Sequence, residues 1–377
     1  MTTRPLIAAF ILAATLLGAA PAGAGMKAAL LQKACDAGAA KACFNLGLMH
    51  FQGTGTPRDM GRAAALFGRA CAAGHVMSCY NAGLQQENGM GVPADPARAG
   101  AFYRKGCDGG FAKACHNLGG LYFGGKLGRP DGSKAMALYA RACDGGMARG
   151  CYNIGFILEK GALGVPRDAA RAAAFYRKAC DGKFNQGCHN LGTLHVAGAG
   201  VPRDFARAAA LFARACDGGI MIGCYNLGIL RAGGLGVSKD ARRAAALYAQ
   251  ACQGGYAGGC NNLGLLHDTG RGVRKDAARA VALYLKACDG GFAEGCHNGA
   301  VSYQNGEGVR KDARRAATLY LKACEGKIAG ACFNLAVLHA QGAGVPRDAA
   351  RARLLFGRSC KFGHQDGCRQ YRALGGQ

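Results

Sequence analysis

Residues 180–216 read CDGKFNQGCHNLGTLHVAGAGVPRDFARAAALFARAC, and the next pair of cysteines, Cys216 and Cys224, repeats the spacing of Cys180 and Cys188. Outward from this block the same C-x7-C pair occurs ten times in the 377 residues, its first members 36 residues apart except for one step of 37. A fixed period of this length is the mark of one supersecondary unit used again and again.

The block itself says what the unit is. Asn190 stands two residues after the second cysteine, and an Asn holds that place in nine of ten units; eight residues later, at Gly198, all nine of these have Gly. An apolar helical pattern ending at Gly is a helix whose next residue turns left-handed. We denote it helix A. After a Gly-Val-Pro loop comes Asp204, one of nine recurrent Asp. Its carboxylate suits the free amides of a following first turn. Helix B then runs twelve residues to Cys216, with Leu211 and Phe212 on its apolar face. The single extra residue falls between Gly161 and Asp168, in the loop, where an insertion is tolerated. Neither helix buries its apolar face alone. The expected fold is therefore all-α, an α/α solenoid of nine roughly 36-residue helix-turn-helix repeats over residues 25–377, without a domain boundary. Small residues two after the Asn, such as Gly192, let helices approach closely.

Composition agrees. The chain carries 63 Gly without a Gly-X-Y period, which excludes collagen, and 50% hydrophobic residues, which excludes disorder. Twenty Cys do not suit a reducing cytosol. Residues 1–24, MTTRPLIAAFILAATLLGAAPAGA, have the form of a secretory leader cleaved after Ala24: one basic residue, a short apolar run and a small-residue site. A membrane anchor is the alternative, but the run is short of the ~20 residues a span needs. No transmembrane segment is expected in the mature chain, which is placed in the periplasm or outside the cell.

Twenty cysteines allow roughly 7×10⁸ pairings, so sequence alone does not fix connectivity. The tenfold recurrence makes bonding within each pair the simplest assignment: Cys35–Cys43, Cys71–Cys79, Cys107–Cys115, Cys143–Cys151, Cys180–Cys188, Cys216–Cys224, Cys252–Cys260, Cys288–Cys296, Cys324–Cys332 and Cys360–Cys368. Each would join helix B to the next helix A across a seven-residue turn. Each nine-residue loop so closed contributes about 2.6 kcal/mol by loss of chain entropy in the unfolded state. The rival is metal, for which the spacing is wider than the usual zinc pairs. No metal or other cofactor is expected.

Units such as NLGTLHVAGAGVPRD (190–204) followed by ALFARACDGG (210–219) resemble Sel-one-like repeats, and in particular the Helicobacter cysteine-rich protein family with its C-x7-C pairs. The resemblance covers residues 26–377. It implies a right-handed superhelix, within-pair disulfides and secretion. The fold is also similar to that of a mitochondrial intermembrane-space assembly factor, which gives that compartment as the alternative location. For function the resemblance implies a protein-interaction scaffold, with penicillin binding and slow β-lactam hydrolysis as the alternative.

Two faces emerge from helical periodicity. Counted from the recurrent Asp, position +3 of helix B is basic in all nine units and position +10 in eight, giving two cationic rows in a chain of formal charge +25. They read either as a solvated back paired to the N-cap Asp or as a strip for an anionic envelope component. Nucleic acid is not an expected partner of a secreted chain. On helix A the residue after the second Cys is a ring in eight of nine units, including Tyr80, His116, Tyr152, His189, Tyr225 and His297. With Asn117, Asn153, Asn190 and Asn226 these form a candidate concave groove for a protein or peptide ligand, since an amide offers donor and acceptor to an extended backbone. The alternative is that the ring covers the disulfide and the Asn caps a backbone group. Glu87, Glu159 and Asp268 share that side.

Catalysis needs a departure from the repeat. None of the five Ser begins Ser-x-x-Lys, and neither H-E-x-x-H nor H-x-H occurs. The remaining catalytic candidates are His116 and His189 with Glu159, as base and orienter. His50, His195, His267 and His339 share one offset on the leucine side of helix A and read as packing residues.

Overall fold

A computed structural model describes residues 22–375, which form twenty α-helices and no strand. The expected leader therefore lies outside the described residues through position 21. The chain divides into two compact units, one through Asn153 together with Ala162–Val165, the other Ile154–Gly161 together with Pro166 onward. The first holds α1 (Ala22–Asp36), α2 (Ala40–Gln52), α3 (Met60–Ala72), α4 (Val76–Asn88), α5 (Pro96–Asp108), α6 (Ala112–Phe123) and α7 (Gly132–Asp144). The division falls within α8 (Ala148–Lys160). The second unit continues with α9 (Ala169–Asp181), α10 (Asn185–Ala197), α11 (Phe205–Asp217), α12 (Met221–Gly233), α13 (Ala241–Gln253) and α14 (Ala257–Thr269). It ends with α15 (Ala277–Asp289), α16 (Ala293–Asn305), α17 (Ala313–Glu325), α18 (Ala329–Gln341), α19 (Ala349–Lys361) and α20 (Gln365–Ala373). Within each unit successive helices pack on one another, so each is an α/α solenoid. From α2 to α19 the even-numbered helices are helices A and the odd-numbered ones helices B.

The local signals act as chemistry requires. Asp204, at φ −151°, accepts the backbone N–H of Arg207 at 2.9 Å and so caps α11. The loop before it is tied back to helix A by the Asp204 N–H donating to the His195 carbonyl at 3.0 Å. At the other end of α10, Gly198 takes φ +68° and donates to Leu194, closing the helix. Helix B packs on helix A of its own repeat through a ring laid over glycine. A Cβ on Gly192 would stand 2.8 Å from the Phe212 ring, and one on Gly83 2.5 Å from Tyr103. The ring is buried in each case, Tyr103 and Tyr176 fully.

All ten cysteine pairs are disulfides, with Cα atoms 4.4–4.8 Å apart. The seven residues between partners are not all turn. Cys143 lies in the last turn of α7 and Cys151 in the first turn of α8, leaving three residues, 145–147, between helices. The turn is shorter than expected because both helices propagate past their cysteines until a left-handed Gly146, φ +82°, ends the run.

Candidate functional site

The ring after the second cysteine sits on the buried ring of helix B. Centroid separations are 6.1 Å for Tyr80 on Tyr103, 5.4 Å for His116 on Tyr139, 5.8 Å for His189 on Phe212, 5.9 Å for Tyr225 on Tyr248 and 5.7 Å for His297 on Tyr320. These rings, and Tyr152, are half-buried.

The recurrent Asn serves neighbouring side chains. Asn226 donates its amide to His189 Nε2 at 3.1 Å, and Asn298 donates to Asn261 Oδ1 at 2.9 Å, each reaching back 37 residues to the preceding helix A. The Asn117 amide meets the hydroxyls of Tyr80 and Tyr103, and Asn153 that of Tyr139. Asn190 accepts from His189 Nδ1 at 3.0 Å. Gln186 Nε2 also approaches Nδ1 at 3.5 Å, so both ring nitrogens of His189 are engaged by neighbouring amides. Burial lowers its pKa, against the raising influence of Asn190 and Glu159. Burial, followed by the charge of Arg149, brings His116 down to about 4, and its Nδ1 is buried without a hydrogen-bond partner.

The carboxylates on this side have a common task. Tyr103 donates to Glu87 at 2.8 Å and Tyr176 to Glu159 at 2.7 Å; Tyr320 donates to the Gln304 carbonyl oxygen at 2.6 Å. Asp268 faces Tyr284. Where helix B carries Phe instead, the same helix A position is apolar: Phe51 with Phe67, Val196 with Phe212 and Ala340 with Phe356. A buried hydroxyl favours an acceptor, and four of the six helix B Tyr have a polar residue at this position. Tyr139 has Phe123 there and Tyr248 has Ala232, and the Tyr284 hydroxyl is buried without a hydrogen-bond partner among the described residues. Glu159 is also paired to Lys160 at 2.7 Å. Among the catalytic candidates, His116 lies in the first unit and Glu159 and His189 in the second, with both nitrogens of His189 engaged.

In the second unit the helices A carry few charges from α10 to α18. Helices α10, α12, α14, α16 and α18 hold one Lys or Arg, Arg231, against thirteen in α11, α13, α15, α17 and α19. Ile229 and Leu265, at one position of α12 and α14, are 39% and 40% exposed, and Val301 and Val337 continue the row half-buried.

The helix B rows are partly consumed by structure. At +3, Arg207 pairs with its own cap Asp204 at 3.3 Å, as do five counterparts within 4.0 Å, yet these side chains stay 60–74% exposed. At +10, Arg69, Arg141 and Arg214 donate to the carbonyl of the preceding repeat's first cysteine at 2.7–3.1 Å and to the Asp after it. Sequence reading missed this clamp across the repeat boundary. The four offset histidines also have a specific role: each Nδ1 contacts a loop carbonyl, at 3.4 Å for His50, 3.1 Å for His195, 3.2 Å for His267 and 3.3 Å for His339. Among the described residues no group of acidic, His or Cys side chains forms a metal site, and no helix is long and apolar enough to cross a membrane.

Comparison with solved structures gives a Sel1 repeat protein from Oxalobacter formigenes, at 25% identity over 65% of this chain and 96% of that one, TM-score 0.58. The protective antigen c5321 of uropathogenic Escherichia coli strains, which displays an SLR fold, matches at 25% identity over 92% of this chain and 90% of that one, TM-score 0.46. Helicobacter pylori cysteine rich protein B matches at 30% identity over 35% of this chain and 95% of that one, TM-score 0.30. No curated protein matches the sequence. The Sel1 repeat model matches nine times, at residues 40–75, 76–111, 112–147, 148–184, 185–220, 222–256, 257–292, 293–327 and 329–364. The chain belongs to the Sel1 repeat family.

Proposed function

We propose that this protein is a secreted or periplasmic repeat scaffold that binds a protein or peptide ligand along its helix A face. The observation that carries the reading is the exposed apolar row at Ile229 and Leu265 beside half-buried rings, on helices almost free of Lys and Arg in a chain of +25. Exposed apolar side chains rimmed by rings and amides suit a partner's apolar side chains and backbone. Ten disulfides suit an oxidising compartment, and the leader-like residues 1–24 supply a route to it. Sel1 repeats mediate protein–protein contact in general. The hydrolytic alternative draws no support here: Glu159 serves Tyr176 and Lys160, and His189 has no open nitrogen. The test is capture of the partner from envelope extract. Changing Tyr152 and Tyr225 to Ala, with helicity retained, is expected to abolish capture. Loss only when Arg207 and Arg243 are neutralised would move the site to the helix B side.

A further inference from the structure

Two cavities lie on the helix B side at equivalent places in the repeat, one in each unit. The first, of about 270 Å³, sits among α5, α6 and α7; the second, of about 360 Å³, among α9, α10 and α11. Arg104, Lys134 and Arg141 surround Asp108 in one, and Arg177, Arg207 and Arg214 surround Asp181 in the other. The floors are likewise equivalent, Leu118 with Leu138 and Leu191 with Leu211.

What these two repeats share is a departure from the others. The position nine after the cap Asp is Arg only at Arg104 and Arg177; at the other seven repeats it is Gly, Ala or Leu. Each departure adds a third cation where the repeat supplies two; Lys134 and Arg207 also pair with the cap carboxylates Asp131 and Asp204, so the surplus is one positive charge at each cavity. Arg104 is aimed by the Tyr122 hydroxyl, to which it donates at 3.0 Å, and Lys134 stands 5.5 Å from the centre of the same ring. Arg177 makes no hydrogen bond or ion pair among the described residues.

We propose that each cavity binds a phosphate head carried on an apolar body. The surplus positive charge and the planar guanidinium donors match a phosphate. The leucine floor favours attached carbon over a bare hydrated ion. The volumes, about 270 and 360 Å³, stand just below and at the small end of ligand sites, about 300–1,000 Å³, so a head group and its first carbons enter and the rest stays outside. This site is independent of the peptide reading, which concerns the helix A face.

The test is calorimetric titration of the full chain with a short-chain phosphatidylglycerol below its micelle concentration. Two sites per chain are expected for the parent and one each for Arg104→Gln and Arg177→Gln, while the double variant binds at neither cavity. Arg104→Lys/Arg177→Lys, which keeps the charge but not the planar fork, is expected to retain both sites at reduced affinity, which separates charge from folding. Arg243→Gln, on the same side but at neither cavity, is expected to leave stoichiometry at two. Equal weakening by Arg243→Gln and by the double variant would overturn the proposal in favour of diffuse attraction. Inorganic phosphate saturating both sites as tightly as the lipid would overturn the apolar part. Vesicles of the same lipid that bind parent and double variant alike would exclude these cavities as the lipid contact.

Discussion

The pairing of Tyr176 with Glu159 supplies a decisive double-mutant cycle. Tyr176 is fully buried and donates at 2.7 Å to a carboxylate that also holds Lys160. Tyr176→Phe removes a hydrogen bond to a charged group, worth about 1.5–3 kcal/mol, and the remaining Lys160 contact puts the loss at about 1.5 kcal/mol. Glu159→Val deprives the buried hydroxyl of that acceptor, costing about 1–3 kcal/mol. The double variant recreates the Phe212 and Val196 pairing already used one repeat later, so its cost should fall below either single change. The expected coupling is about 2 kcal/mol, or about 30-fold in amide protection. Opening in a repeat array is local, so the assay is native-state amide exchange of α8 and α9. Burial raises the Glu159 pKa, but the bonds from Lys160 and Tyr176 outweigh it and leave the group below its ordinary 4.5. Its contribution is therefore present above pH 4.5 and lost as pH falls through the lower folded value. Single changes that add within about 0.5 kcal/mol would refute the pairing.

Two other outcomes follow from neighbouring features. Replacing Cys216 and Cys224 by Ala removes a staple worth about 2.6 kcal/mol, so exchange in α11 and α12 should rise by about 80-fold while α3 and α4 are unchanged. Uniform destabilisation of both units would contradict local stapling. His116 should titrate by NMR near pH 4, against an ordinary value of 6.5. Because its folded pKa is depressed, stability is undiminished above pH 6.5 and erodes as pH falls towards 4. His116→Phe, which imitates Phe44 and Phe333, should flatten that limb; an unchanged acid profile would remove His116 as its source.

The repeat, its two helices and their ends were legible because they depend on spacing within one unit. The Asp cap, the terminal Gly and the ring position each act within a few residues. Glycine at 192 was legible as a close contact, although only the structure identifies the Phe212 ring as the neighbour. What escaped sequence reading crosses repeat boundaries. The Asn226 amide bonds a histidine 37 residues back, and Arg214 reaches a carbonyl 34 residues back. The second loop glycine is of the same kind: at Gly236, φ +65°, a Cβ would fall 2.3 Å from the backbone of Phe205 in the preceding repeat. Such constraints recur in sequence but name no partner. The acids on helix A were also noticed without their reason, because Glu159 answers to a hydroxyl 17 residues later. A polar residue at this position accompanies Tyr on helix B in four of six repeats and never accompanies Phe, a pattern present in the sequence.

The central claim, a ligand on the helix A face, is tested most directly by site-specific photocrosslinking in the native envelope. A photoreactive residue at Ile229 or Leu265 should give a discrete adduct, and the same group at Arg243 should give none. The adduct should disappear when Tyr225 is also changed to Ala. Crosslinking from position 243 with none from 229 or 265 would contradict the claim.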